Sequence, residues 1–183
     1  MRFSKKSLMV VPALIMAMAF VPASQAQVNS NVANINLTAT LGESVSIVAT
    51  PAAPITFALV PNGTVNGSAN VSVTTSWALA KTRTSVKLFA YFASANALTD
   101  GAGDNIPTAN VTGSVNGGAA APFTTATPFG ANGMTVFTQA IGAAGTFNSS
   151  HGPDTIGLAI NTTGLALPAA TYNGVLSIQA QAL

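Results

Sequence analysis

Hydrophobic and polar residues alternate with period two in several runs of this chain. Residues 34–50, NINLTATLGESVSIVAT, place apolar side chains at Ile35, Leu37, Ala39 and Leu41, and the same odd phase resumes at Val45, Ile47 and Ala49. Such alternation marks a strand with one buried face. Two strand-length runs therefore lie end to end, joined by Gly42-Glu43-Ser44. The first can serve the chain's own sheet or a neighbour's, because the alternation is identical in both cases. Residues 55–60 predict a further short strand ahead of the turn signal Pro61-Asn62-Gly63. Residues 70–79 alternate most cleanly, with Val71, Val73, Thr75 and Trp77 on one face and Ser72, Thr74 and Ser76 on the other. Trp77 is expected in the core.

Residues 80–84 carry Lys81 and Arg83 and read as an exposed turn. Residues 85–94 are apolar on both faces, with Val86, Leu88, Ala90 and Phe92 opposite Phe89 and Tyr91. That predicts a central strand, or one covered by a partner. Residues 96–127 are rich in Gly, Ala, Asn, Thr and Pro, and predict loops with two short strands near 110–115 and 121–125. Residues 134–141 and 155–161 are further strand candidates, separated by an expected loop over 142–154. In the closing run, 175–183, Leu176, Ile178, Ala180 and Ala182 share a face opposite Ser177, Gln179 and Gln181. Short strands divided by Gly, Pro and Asn turns predict an all-β, antiparallel β-sandwich.

The first 26 residues change the picture. Arg2, Lys5 and Lys6 precede an apolar run over 8–21, and Ser24-Gln25-Ala26 has the small residues of a cleavage site. This reads as a secretory signal cut after Ala26. The run is too short for a membrane span, and none is expected in the mature form. Beyond the signal, three basic residues (Lys81, Arg83, Lys87) face four acidic ones (Glu43, Asp100, Asp104, Asp154), a net charge of −1. The basic character of the whole chain thus comes from the signal and gives no reason to expect nucleic acid as a partner. So sparse a charge offers little electrostatic protection against association. Cysteine is absent, which excludes disulfides and thiolate chemistry.

Little here points to catalysis. His151, with Ser149, Ser150 and Asp154 nearby in sequence, superficially resembles a triad, but residues strung along one glycine-flanked segment lack the rigid constellation a triad needs. His151 is read as an exposed loop residue. Asp100, Asp104 and Asn105 offer oxygens for calcium, but next to Gly101 and Gly103 they are ordinary turn formers. Asn116-Gly117-Gly118 lacks the lysine and helix of a phosphate loop. Asn36, Asn62 and Asn161 open Asn-x-Thr triplets that arise from composition. No enzyme activity and no cofactor are expected.

Two segments carry a resemblance. Residues 36–50, NLTATLGESVSIVAT, resemble the mature N-terminal segment of the spore coat protein U family and of archaic chaperone–usher pilins. Residues 168–179, PAATYNGVLSIQ, resemble the closing strand of the same families, where a Pro-x-x-Thr-Tyr-like turn leads into a final alternating strand. Those families commonly have a cysteine where Val45 aligns, so this chain departs from them there. The resemblance implies an immunoglobulin-like sandwich lacking one strand and completed by a donor strand from the next subunit. It implies residues 27–41 as the donor segment, with Ile35, Leu37, Ala39 and Leu41 inserted, and 42–183 as the sandwich. Leu176, Ile178, Ala180 and Ala182 would line the receiving groove. Implied partners are copies of the chain or related subunits, a periplasmic chaperone and an outer-membrane usher, with passage through the periplasm to the cell surface. The alternative expectation is a monomeric secreted adhesin or binding domain whose sandwich is complete.

Overall fold

The computed structural model describes residues 31–51, 53–124 and 133–183; the expected signal, with its cleavage at Ala26, lies outside them. The chain divides between Ala39 and Thr40. In the first unit, the described residues 31–39 carry neither helix nor strand. The regular structure of the second unit consists almost wholly of strands. These are β1 (Ser44–Thr50), β2 (Thr64–Asn66), β3 (Val71–Ala78), β4 (Ser85–Tyr91), β5 (Asn96–Thr99), β6 (Asn105–Pro107), β7 (Val111–Val115), β8 (Ala121–Pro122), β9 (Met134–Ala140), β10 (Asn148–Asn161), β11 (Asn173–Gly174) and β12 (Ser177–Ala182).

One sheet runs β1-β3-β10-β7-β8, with β2 also on β10; a second runs β12-β4-β9, and a small third runs β11-β5-β6. All these pairings are antiparallel. The first two sheets share one core. Val73, Trp77 and Ile156 come to it from the first, and Val86, Leu88 and Val136 from the second. The alternation read from sequence explains why. On β3 every second residue, from Val71 to Trp77, is buried while its neighbours are not. Each fully buried Val, Leu or Ile contributes roughly 1.5–3 kcal/mol. The fold is therefore an antiparallel all-β sandwich, and β4 is central in its sheet as its two apolar faces predict.

Three segments differ from expectation. Residues 55–60 form no ladder strand. Pro54 and Pro61 flank the run and remove two donors. Thr56 pairs with Ser68, its carbonyl accepting the Ser68 N–H at 2.9 Å and its own N–H donating to Ser68 Oγ at 3.0 Å, and the Val60 carbonyl accepts from Thr162 Oγ1 at 2.5 Å. The segment 142–154 is only partly loop, because β10 begins at Asn148. Gly152 and Pro153 form a bulge within that strand, where the register steps from His151↔Thr75 to Asp154↔Val73. A bulge leaves one residue unpaired, which is how a proline fits inside a ladder. Gly152 has φ +112°, and a Cβ there would lie 2.6 Å from the Val73 carbonyl oxygen. Within 96–127 the short strands β7 and β8 lie where expected, and the β5–β6 hairpin is additional.

Candidate functional site

Burial is uneven across the sandwich. Away from β1 and β12, Phe123, Val136, Phe137 and Ile141 are all buried, although Val115, Met134 and Phe147 are only partly so. Along β1 and β12 no inner residue is buried. Val45 and Ile47 pair with Trp77 and Thr75 on the inner face of the first sheet, yet remain only half-buried. Ile178, Ala180 and Ala182 pair with Ala90, Leu88 and Val86 on the inner face of the second, and are likewise half-buried, as is Leu176. Both β1 and β12 are edge strands among the described residues. They approach within 8 Å, Cα to Cα, while belonging to different sheets. The result is a seam along which the core meets solvent.

Hydrogen-bond parity fixes what the two lips present. Leu183 and Ser85 exchange backbone bonds, Leu183 N–H to Ser85 O at 2.9 Å and Ser85 N–H to Leu183 O at 3.3 Å. In an antiparallel ladder bonded and non-bonded pairs alternate. Ser177, Gln179 and Gln181 therefore bond to β4, and the N–H and C=O groups of Ile178, Ala180 and Ala182 point away from it. On the other lip, Leu79 N–H donates to Phe147 O at 2.7 Å, which turns the odd residues of β3 toward β10. Its even residues then bond to the even residues of β1. Val45, Ile47 and Ala49 are left with backbone groups directed into the seam. Each lip thus offers apolar side chains and free main-chain groups from the same residues. The sequence pattern identifies the β12 row, but it does not identify β1 as the opposite lip.

The expected donor residues lie outside every strand. Ile35 is 82%, Leu37 91% and Leu41 80% exposed, and Ala39 is exposed as well. Directly after them, Glu43 is anchored. Its Oε1 accepts the Ala80 N–H at 2.8 Å and the Arg83 Nε–H at 3.1 Å, and its Oε2 accepts from Arg83 Nη2 at 2.9 Å. The Arg83 guanidinium, helped by the Ala80 amide, lowers the Glu43 carboxyl to about 2. Sequence reasoning passed over this pair. The available signal was charge scarcity, since an acid at the head of β1 and a base in the turn leaving β3 are neighbours once the two strands pair.

At the other end of β12, Tyr172 Oη donates to the Pro168 carbonyl at 3.0 Å. The Pro-x-x-Thr-Tyr segment is thereby tied into a turn leading to the closing strand. Burial raises the Tyr172 hydroxyl pKa, and Asp104 and Asp100 add to the shift.

The remaining candidates resolve into structure. His151 is not in an exposed loop: it lies on β10, half-buried, and stacks on Phe137 with ring centroids 4.2 Å apart. The bulge brings Asp154 to the same inner face, with its Oδ2 3.4 Å from His151 Nε2. Asn116 Nδ2 donates to Asp154 Oδ1 at 2.9 Å. Ser150 pairs with Ser76 and so belongs to the outer face, while Ser149 stands two residues along the strand from His151, roughly 7 Å away. Neither serine is placed as a nucleophile for this histidine. Asp100 Oδ1 accepts the N–H groups of Ala102, Gly103 and Asp104 at 2.8, 3.1 and 3.0 Å, which closes the β5–β6 turn. Among the described residues no group of three or more His, Cys, Asp or Glu could hold a metal ion. No protein-family model matches the chain, and no curated protein matches it either.

Proposed function

We propose that this chain is an exported, non-enzymatic structural subunit of a surface pilus or coat, in which residues 34–41 of one copy fill the β1–β12 seam of another. One observation carries the reading: an apolar, alternating, exposed arm and an open seam with unpaired main-chain groups coexist in one chain. The two match in period and in length, since Ile35, Leu37, Ala39 and Leu41 face four positions from Leu176 to Ala182. Strand addition uses main-chain bonds for affinity and alternate side chains for fit. Burying Ile35, Leu37 and Leu41 would contribute roughly 1.5–3 kcal/mol each. A head-to-tail contact of this kind does not close on itself and so extends a filament.

On this reading the sandwich is immunoglobulin-like with one strand supplied from outside. The Tyr172–Pro168 bond before the closing strand supports that topology, being the tie found at the tyrosine corner of such sandwiches. An unfilled seam is an aggregation hazard, which favours a periplasmic chaperone and an usher as partners during export to the surface. A strand between two neighbours needs about 9.5 Å, so the lips must part where they now stand within 8 Å.

The test is direct. The secreted chain should migrate as a ladder on unheated gels and collapse to one band on boiling. Deleting residues 27–41 should stop assembly yet leave a fold that a peptide of residues 34–41 completes. A single monomeric species, unaffected by heating and indifferent to the peptide, would overturn the proposal in favour of a complete monomeric sandwich.

A further inference from the structure

Side chains differ in size along both the arm and the closing lip, and the differences are complementary. The apolar row of the arm is Ile35, Leu37, Ala39 and Leu41, with one small residue among three large ones. Read from its end, the inner row of the lip is Ala182, Ala180, Ile178 and Leu176. Laid antiparallel with Ile35 against Ala182, the two rows interlock. Leu37 meets Ala180, Ala39 meets Ile178, and Leu41 meets Leu176, which precedes β12 and so lies at the mouth of the seam. Moving the arm two residues either way, or reversing it in place, sets Leu37 or Leu41 against Ile178. Crowding two large side chains costs stability, as does leaving a gap where two small ones meet.

Backbone parity permits this register. The free main-chain groups of the lip belong to Ile178, Ala180 and Ala182, so no group already bonded to β4 is needed. Directly opposed residues share a face, so Ile35, Leu37 and Ala39 turn their side chains to the inner side. Chain polarity selects the same direction. β1 begins and β12 ends at one pole, beside the turn between β3 and β4. There Glu43 accepts from Ala80 and Arg83, and the Leu183 carbonyl accepts the Thr84 N–H at 2.6 Å. Leu41 placed at that pole of a neighbour would bring like poles together, and a mutual swap would close a pair. Leu41 placed beside Leu176, at the opposite pole, leaves the neighbour's own arm free for a third copy. Building on the assembly reading, we infer that Ala39 and Ile178 are the specificity-determining pair of the exchange. The one small residue of the arm's apolar row fits over the one large inner residue of β12, and this fit sets register and direction against another copy of the chain.

The chain has no cysteine, so engineered pairs read the register without background. The full secreted chain is prepared with Leu37→Cys and Ala180→Cys, or with Ala39→Cys and Ile178→Cys. Displaced pairs carry Ala39→Cys with Ala180→Cys, or Leu37→Cys with Ile178→Cys. After assembly and oxidation with diamide, the first two should give ladders that survive boiling without reductant. Directly opposed Cα atoms stand about 5.5 Å apart, within disulfide reach. The displaced pairs, at a diagonal separation of about 7–8 Å, should stay mostly unlinked. Ala39→Leu should weaken association about tenfold, and adding Ile178→Ala should restore it toward wild type. Trp77 emission reports whether the core is intact, and the Leu37–Ala180 pair reads the same register with Ile178 unchanged. Linking in the displaced pairs, or an Ala39→Leu defect that Ile178→Ala does not relieve in a folded chain, would overturn the register while leaving the assembly reading in place. A wild-type chain that forms no ladder, with no cysteine pair joining two copies, would instead overturn the assembly reading itself.

Discussion

Glu43 has a pH signature of its own. Its carboxyl falls from an ordinary 4.5 to about 2 in the folded chain because Arg83 and the Ala80 amide bind its charged form. A group whose folded pKa is depressed contributes stability above its unfolded pKa and loses it as pH falls through the folded one. The melting temperature of wild type should therefore exceed that of Glu43→Gln above pH 4.5, with the difference closing between pH 4.5 and 2. The other three carboxylates are common to both chains and cancel in that comparison. A difference that persisted unchanged below pH 2 would mean the carboxylate charge is not what Arg83 reads. Gly152 tests the backbone instead. With φ +112° and the Val73 oxygen 2.6 Å from any Cβ, Gly152→Ala should cost about 1–3 kcal/mol. Gly142→Ala, where a Cβ meets nothing, should stay within about 0.5 kcal/mol. Denaturant midpoints measure both. At this scale, local chemistry was legible where it is encoded in neighbours. Asn116-Gly117 takes positive φ at both residues, as that dipeptide favours. His151 was misplaced because the Gly-Pro beside it signals a loop, and only pairing with β3 turns that signal into a bulge.

Along the elements, parity makes a sharper prediction than burial. In the unassembled subunit, amide exchange along β12 should alternate, slow at Gln179 and Gln181 and fast at Ile178, Ala180 and Ala182. On assembly the fast amides should become protected while the slow ones change little. Uniform protection of all five amides in a monomer would mean that the seam is already filled. A charge separates the two faces in the same way. Ala180→Glu places a carboxylate where an arm would desolvate it, at a cost of several kcal/mol, and should reduce assembly more than a hundredfold. Gln179→Glu, on the outer face, should assemble normally. Alternation alone yielded β1, β3 and β12 and the rows they turn inward, whereas β4 was marked by apolar residues on both faces and β9 only as a strand candidate. It could not yield the β5–β6 hairpin, whose short strands rest on the Asp100 turn rather than on apolar period. Nor could it distinguish residues 34–41 from a strand, since an arm shaped for a sheet has the same pattern whether or not a sheet holds it.

For the molecule as a whole, the open seam makes stability dependent on what occupies it. A chain lacking residues 27–41 should have its core intact, because the fully buried rows on β3, β4 and β10 do not depend on those residues. Its melting temperature should rise with added peptide of residues 34–41. A ligand bound only by the native state at a hundred times its Kd contributes about 2.7 kcal/mol, and for a domain this size that is a rise of about 5–10 °C. Peptides with Leu37→Asp or Leu41→Asp should raise it little, since each carries a charge into the apolar row. A peptide changed at Asn36 or Thr38, which face away from that row, should act like the parent. Because the lips stand within 8 Å and must separate to admit a strand, the association rate should level off at high peptide concentration, at the rate of seam opening. Thermal shift gives the first three outcomes and stopped-flow emission from Trp77 the last. Equal effects from all these peptides would mean that they bind some other surface. A truncated chain that does not respond to any of them would mean that the seam is a closed feature of the sandwich rather than a receptor for the arm.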